Sequence, residues 1–134
     1  MHLSAIGHTA IEAGAAYPPR QHPSGRAFDW ERGRVLPALQ LVLIRSGRGA
    51  IEWTRERHRV ESGQGFLLLP GQWHRYRPDS ATGWEEDWFE LRGPILERWV
   101  NHETLFTARI FTCSKEAFKR MDELHLLAHR NRGD

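Results

Sequence analysis

Apolar and polar residues alternate through the middle of this chain in short stretches, most of them closed by glycine or proline. Ala50-Ile51-Glu52-Trp53-Thr54 alternates cleanly and predicts a strand with Ile51 and Trp53 on one face. Leu36 to Ile44 is rich in β-forming apolar residues, and Pro37 puts its beginning at a sheet edge or strand start. Phe66 to Leu69 is an unbroken apolar run between Gly63 and Gly65 on one side and Pro70-Gly71 on the other. It is too short for a helix and predicts a strand buried on both faces. Pro70-Gly71 turns the chain, and Trp73 to Arg77 resumes the alternation. His74 and Tyr76 share one face of that strand, and Trp73, Arg75 and Arg77 share the other. Trp84 to Leu91 is the last long strand, with Trp84, Glu86, Trp88 and Glu90 on one face and Glu85, Asp87, Phe89 and Leu91 on the other. Turns at Ser46 to Gly49, a hairpin tip at Arg55 to Arg57 followed by His58-Arg59-Val60, and a loop at Pro78 to Gly83 complete the series. Short strands with no helices between them predict an antiparallel sandwich or barrel.

The flanks read differently. Met1 to Arg26 is weakly patterned, with a short strand at Thr9 to Glu12 and an extended, turn-rich connection from Tyr17 to Gly25 that wraps the barrel. Phe28 to Arg34 alternates in part and contains a glycine break. Beyond Gly93, Pro94 suits the first position of a helix over Ile95 to Val100, and Leu105 to Phe111 is ambiguous, with some strand character. Ser114 can cap a helix running to about Arg130, with Ala117, Phe118, Met121, Leu124 and Ala128 on its buried face and Arg130, Arg132 and Gly133 at its end. This divides the chain into an arm and barrel over 1–93 and a helical segment over 94–134.

Composition narrows the classes. A chain of 134 residues is one domain with room for a real core. Nineteen basic against seventeen acidic residues leave a net charge of only +2, which gives nucleic-acid binding little support. A single cysteine, Cys113, excludes an internal disulfide and points to a reducing, cytoplasmic setting. Apolar runs of at most four residues exclude a membrane-spanning helix and a secretory leader. Five of the six tryptophans fall between Trp53 and Trp99, and clustered aromatics beside polar groups often line binding sites.

Candidate chemistry centres on the last long strand. A carboxylate, Glu86, between the indoles of Trp84 and Trp88, with Tyr76 on the strand before, makes a stacked polar surface suited to a polyhydroxylated or cationic small molecule. The plainer assignment makes the tryptophans ordinary core and leaves Glu86 exposed or paired with an arginine. Cys113 has no neighbouring histidine, and Ser46-Gly47-Arg48-Gly49 lacks the lysine and helix of a phosphate loop. A lone helix from Ser114 has no partner with which to form a helix-turn-helix, so direct DNA binding is not expected.

The spacing Gly65-x4-Pro70-Gly71-x2-His74 resembles the second motif of the cupin barrels. The wider ordered set, from Leu39-Gln40-Leu41-Val42-Leu43 through Ser46-Gly47-Arg48-Gly49 to Trp88-Phe89-Glu90-Leu91-Arg92-Gly93, resembles the N-terminal sensor domain of AraC/XylS-type bacterial transcription regulators. The resemblance implies a mainly β, cupin-like antiparallel double-stranded β-helix (jelly-roll) barrel with C-terminal α-helices. It implies a small-molecule effector, a homodimer, and contact with DNA only through a C-terminal domain that would follow Asp134. Sugar-binding members use an arginine before the first long strand, which falls at Arg32 or Arg34. They also use a tyrosine two residues after the motif histidine, here Tyr76, and residues two apart on the last long strand, here Glu86 and Trp88. His74 and Trp84 complete the candidate set. Glu86 departs from the sugar-binding pattern, so the effector is a small polar molecule that includes but is not restricted to carbohydrates. Metal cupins carry two histidines two apart in their first motif. This chain has no His-x-His and retains only His74, so neither a catalytic residue nor a metal or other cofactor is expected. The alternative is a free-standing cupin, either a carbohydrate-binding module or a small metal-dependent isomerase.

Overall fold

A computed structural model describes residues 2–17, 29–100 and 109–131. The strands are β1 (His2–Ile11), β2 (Leu39–Gly47), β3 (Gly49–Trp53), β4 (Glu56–Val60), β5 (Gln64–Leu68), β6 (His74–Pro78), β7 (Trp84–Arg92) and β8 (Ile110–Thr112). Among the described residues, two helices, α1 (Pro94–Val100) and α2 (Lys115–Asn131), follow the last long strand. The strands form a five-stranded sheet in the order β1-β7-β2-β5-β8 and a three-stranded sheet in the order β4-β3-β6, with every pairing antiparallel. The fold is therefore mainly β and cupin-like, as expected, with helices at the C-terminal end.

The core lies between the two sheets. It is built from the inward phase of each strand: Val42 and Ile44 of β2, Ile51 and Trp53 of β3, Phe66 and Leu68 of β5, Tyr76 of β6, and Trp84 and Trp88 of β7. Period-2 alternation is the physical cause, since each of these pairs lies two residues apart, or four in β7. A register shift in the β2–β7 ladder between Ile44 and Ser46 lets the chain bulge at Arg45. Gly47, at φ +81°, then turns β2 into β3, where a side chain would run into the backbone of Gly83 and Trp84.

Several expectations need correction. The weakly patterned N-terminus is a ten-residue edge strand, not a short one at Thr9 to Glu12, because β1 pairs along the whole of β7. Leu36 to Leu39 is mostly an approach to β2, which begins at Leu39. The hairpin tip lies at Thr54-Arg55, one residue earlier than expected. The partly alternating residues 29 to 34 form a turn with an isolated bridge between Asp29 and Gly33. The chain after Pro94 returns one strand, β8, to the edge of the larger sheet beside β5. In α2, Met121 is buried and Ala117, Phe118 and Ala128 are partly buried, but Leu124 is exposed and His125 takes its place toward the sheet. Ser114 caps α2 by accepting the Ala117 N–H on Oγ at 3.1 Å. Phe28, the connection over 18–25, residues 105–108, and Arg132 and Gly133 lie outside the described residues.

Candidate functional site

The β6 strand carries His74 and Tyr76 into the barrel, and β7 carries Trp84, Glu86 and Trp88 to the same interior. Arg34 reaches them without belonging to a strand. Its backbone N–H donates to the His74 carbonyl at 2.9 Å, and the His74 N–H donates back to the Arg34 carbonyl at 3.0 Å. That isolated bridge seats the guanidinium beside β6. Arg34 Nε donates to His74 Nε2 at 3.0 Å, while Nη2 donates to the Tyr76 hydroxyl at 3.0 Å and to Gln40 Oε1 at 3.2 Å. Because guanidinium nitrogens only donate, His74 Nε2 must accept, and the ring proton sits on Nδ1, which is 3.2 Å from the Gln72 carbonyl. Burial first, and the Arg34 charge second, push the His74 pKa down to about 3. His74 is therefore a neutral imidazole held at both nitrogens.

On the opposite wall Glu86 is 1 % exposed. Tyr17, on the segment after β1, donates its hydroxyl to Glu86 Oε2 at 3.4 Å. The Tyr17 ring stands 6.2 Å from both Tyr76 and Trp84, centroid to centroid. Burial raises the Glu86 pKa to about 7, with the nearby Trp84 indole, the Tyr17 hydroxyl and Arg34 pulling the other way. Burial likewise holds Tyr17 and Tyr76 above the ordinary phenol range. Two polar atoms in this wall, Glu86 Oε1 and Trp84 Nε1, are buried with no hydrogen-bond partner. The Trp84 indole is close enough to hold the Glu86 carboxyl pKa down, yet the two atoms make no hydrogen bond of normal geometry, so better-placed partners for both would be favourable. Tyr17 also borders an open hollow of about 650 Å³ whose lining includes Arg48, Arg57, Arg59 and Arg77.

Six of the seven sequence-predicted residues thus face the interior: Arg34, His74, Tyr76, Trp84, Glu86 and Trp88. Arg32 does not join them. Its side chain is exposed, and its carbonyl accepts the Trp73 indole N–H at 2.8 Å on the outer surface. Trp30 and Trp73 stack with Arg75 on that outer surface, and Trp30 also stacks with Arg77, so these two indoles serve the exterior. The Trp99 side chain lies outside the described set. Sequence reading missed Gln40 and Tyr17. Gln40 carried a signal, as a polar residue in the inward phase of Val42 and Ile44. Tyr17 carried none, because its position depends on the course of an irregular segment.

An antiparallel double-sheet barrel with a charged and aromatic interior is the architecture of a small-molecule-binding cupin domain. The chain belongs to the AraC-like ligand binding domain family, whose model matches residues 4–132. A search of curated proteins finds no match. No helix among the described residues is long and apolar enough to cross a membrane.

Proposed function

We propose that this chain is the effector-sensing and dimerisation domain of an AraC-type bacterial transcription regulator, non-enzymatic and cytoplasmic, which takes a small polar molecule into the barrel. The observation that carries this reading is the buried carboxylate Glu86, with Oε1 and the neighbouring Trp84 Nε1 lacking a hydrogen bond of normal geometry, in a wall faced by Arg34, His74 and Tyr76. A ligand with hydroxyl or amino donors and a neighbouring acceptor, such as a carbohydrate or polyol, satisfies both atoms at once. Tyr17 stands in its way. Its hydroxyl mimics one donor to Glu86, so the ligand displaces Tyr17, and the segment after β1 moves with it. Effector binding then biases the arm and α2 between two arrangements, with DNA contacted through a separate domain of the regulator. The ligand does this only to the extent that it prefers one arrangement over the other. The exposed Leu126 and Leu127 of α2 offer the face for a second copy.

A thermal-shift screen with sugars, polyols, uronates and amines tests the site, since a ligand that binds the folded state raises its melting point. A hit that stabilises the parent chain is expected to have no effect on Glu86→Ala. Equal stabilisation of that variant rejects Glu86 as a binding group.

A further inference from the structure

The outer face of the larger sheet carries a second cluster, separate from the barrel interior. Asp87, whose side chain is fully buried, points away from the core toward α2. Its Oδ1 lies 2.8 Å from His8 Nδ1 on β1 and 2.9 Å from His125 Nε2 on α2. Its Oδ2 is bound by Arg45 Nε, and Arg45 Nη2 reaches on to Asp122 of α2 at 2.6 Å. The second nitrogen of His8, Nε2, stands 3.3 Å from Glu85 Oε1. The three inner ligand atoms all lie within 4.8 Å of one another, and an open groove of about 600 Å³ between the sheet and α2 runs beside them.

A neutral imidazole has one N–H and one lone pair, yet His8 meets a carboxylate oxygen at each nitrogen. With its proton on Nε2 toward Glu85, the Nδ1 lone pair confronts the Asp87 oxygen and needs a positive centre between them. A proton or a metal ion fills that need. Arg45 already anchors the other Asp87 oxygen, which leaves Oδ1 pointing between the two imidazoles. A histidine whose far N–H is held by a carboxylate is also the usual arrangement around a bound metal, because it sets the tautomer and strengthens the ligating nitrogen.

We propose that His8 Nδ1, Asp87 Oδ1 and His125 Nε2 form a site for a divalent transition-metal ion of the zinc and cobalt class, with Glu85 orienting His8. Two imidazoles and one carboxylate suit such ions and serve calcium or magnesium poorly. Tetrahedral ligands at about 2.0–2.1 Å from zinc stand roughly 3.3 Å apart, so each imidazole nitrogen has to draw back from Asp87 Oδ1 by about half an ångström while the two nitrogens, within 4.8 Å of each other, settle to the same spacing. Both rings are partly exposed and can do so, with side-chain exposures of 41 % and 26 %. The fourth position faces the groove and is open to water or an outside donor. Bound there, the ion ties β1 and α2 to β7, the strand whose other face carries Glu86 and Trp88. This site does not depend on the effector reading.

Equilibrium dialysis of the chain against Zn(II) at pH 7.5, followed by elemental analysis, is expected to give one equivalent per chain. Co(II) is expected to show visible bands of a four- or five-coordinate ion. His8→Gln and His125→Gln each abolish binding, Glu85→Gln weakens it about 10-fold, and His58→Gln, on a separate hairpin, leaves it intact. Independently of any substitution, Zn(II) shifts the ring-proton resonances of two histidines among the eight in the chain. Absence of stoichiometric binding, or binding unchanged by both glutamine variants, overturns the site. So does a resonance shift that leaves His8 and His125 untouched.

Discussion

Two buried titratable groups set the interior at the scale of single residues, and they pull stability in opposite directions. Glu86 is protonated more readily in the folded chain, with its pKa raised to about 7, than in the unfolded one. Its contribution is therefore complete below about pH 4.5 and is lost as pH rises through about 7. His74 is depressed to about 3, so its contribution is present above about pH 6.5 and is lost as pH falls toward 3. Each shift amounts to roughly 3–5 kcal/mol at most, at 1.36 kcal/mol per pKa unit, and between pH 4.5 and 6.5 the two slopes largely cancel. Single variants separate them. Glu86→Gln is expected to give urea stability that rises steadily from pH 3 to 6.5, and His74→Gln stability that falls from pH 4.5 to 7, both read from denaturation midpoints. A flat profile in either variant contradicts the assignment. The same logic applies to an effector that donates hydrogen bonds to Glu86. It binds the carboxylate better than the acid, so its affinity is expected to increase as pH rises through about 7.

The residues of this site were unequally legible from sequence. Tyr76, Trp84, Glu86 and Trp88 could be placed on inward faces because strand periodicity assigns a face without knowledge of any partner. Arg34 could not be separated from Arg32, since both precede β2 in an irregular turn. The choice was made by the Arg34–His74 backbone bridge, a contact 40 residues apart in sequence.

Elements dock through a few close approaches. In the β1–β7 ladder Gly7 lies directly opposite Trp88. A side chain at Gly7 would occupy the space of the Trp88 indole, so the glycine is what lets that ring lie across β1 and close the barrel wall. Gly7→Val is expected to cost about 1–3 kcal/mol through overpacking, seen as a lower denaturation midpoint together with changed Trp88 fluorescence. Unchanged stability would mean the ring moves aside freely. Helix α2 is attached through Met121, which is 2 % exposed, and through the Arg45–Asp87–His125 contacts. Its amphipathic period was visible in the sequence, but the buried stripe lies one position round from Leu124, at His125. Hydrophobicity alone picks the leucine. The buried Asp87 carboxylate, held on its other side by Arg45, selects the histidine, because a leucine there would take a hydrogen-bond partner away from a fully buried charge.

Assembly belongs to the whole molecule. Leu126 and Leu127 are each more than half exposed on α2, beside the exposed Leu124. If this face joins two copies, the double variant Leu126→Glu and Leu127→Glu is expected to sediment as a monomer with unchanged melting, while the parent chain sediments as a dimer. A parent chain that is monomeric with and without effector removes the dimer from the proposal.

The order of turns and strands from β2 to β7, the inward faces of β3, β6 and β7, and the motif from Gly65 to His74 were all determined by the sequence alone. Local sterics, turn chemistry and a period of two residues act over a few neighbours and need no partner to be read. The tertiary structure alone decided that β1 is a full-length edge strand, that Arg34 and not Arg32 enters the barrel, that Tyr17 stands against Glu86, and that His8, Asp87 and His125 meet outside it. Each of these rests on contacts between segments 38 to 90 residues apart, and no local pattern records which distant segments the closing of two sheets will bring together.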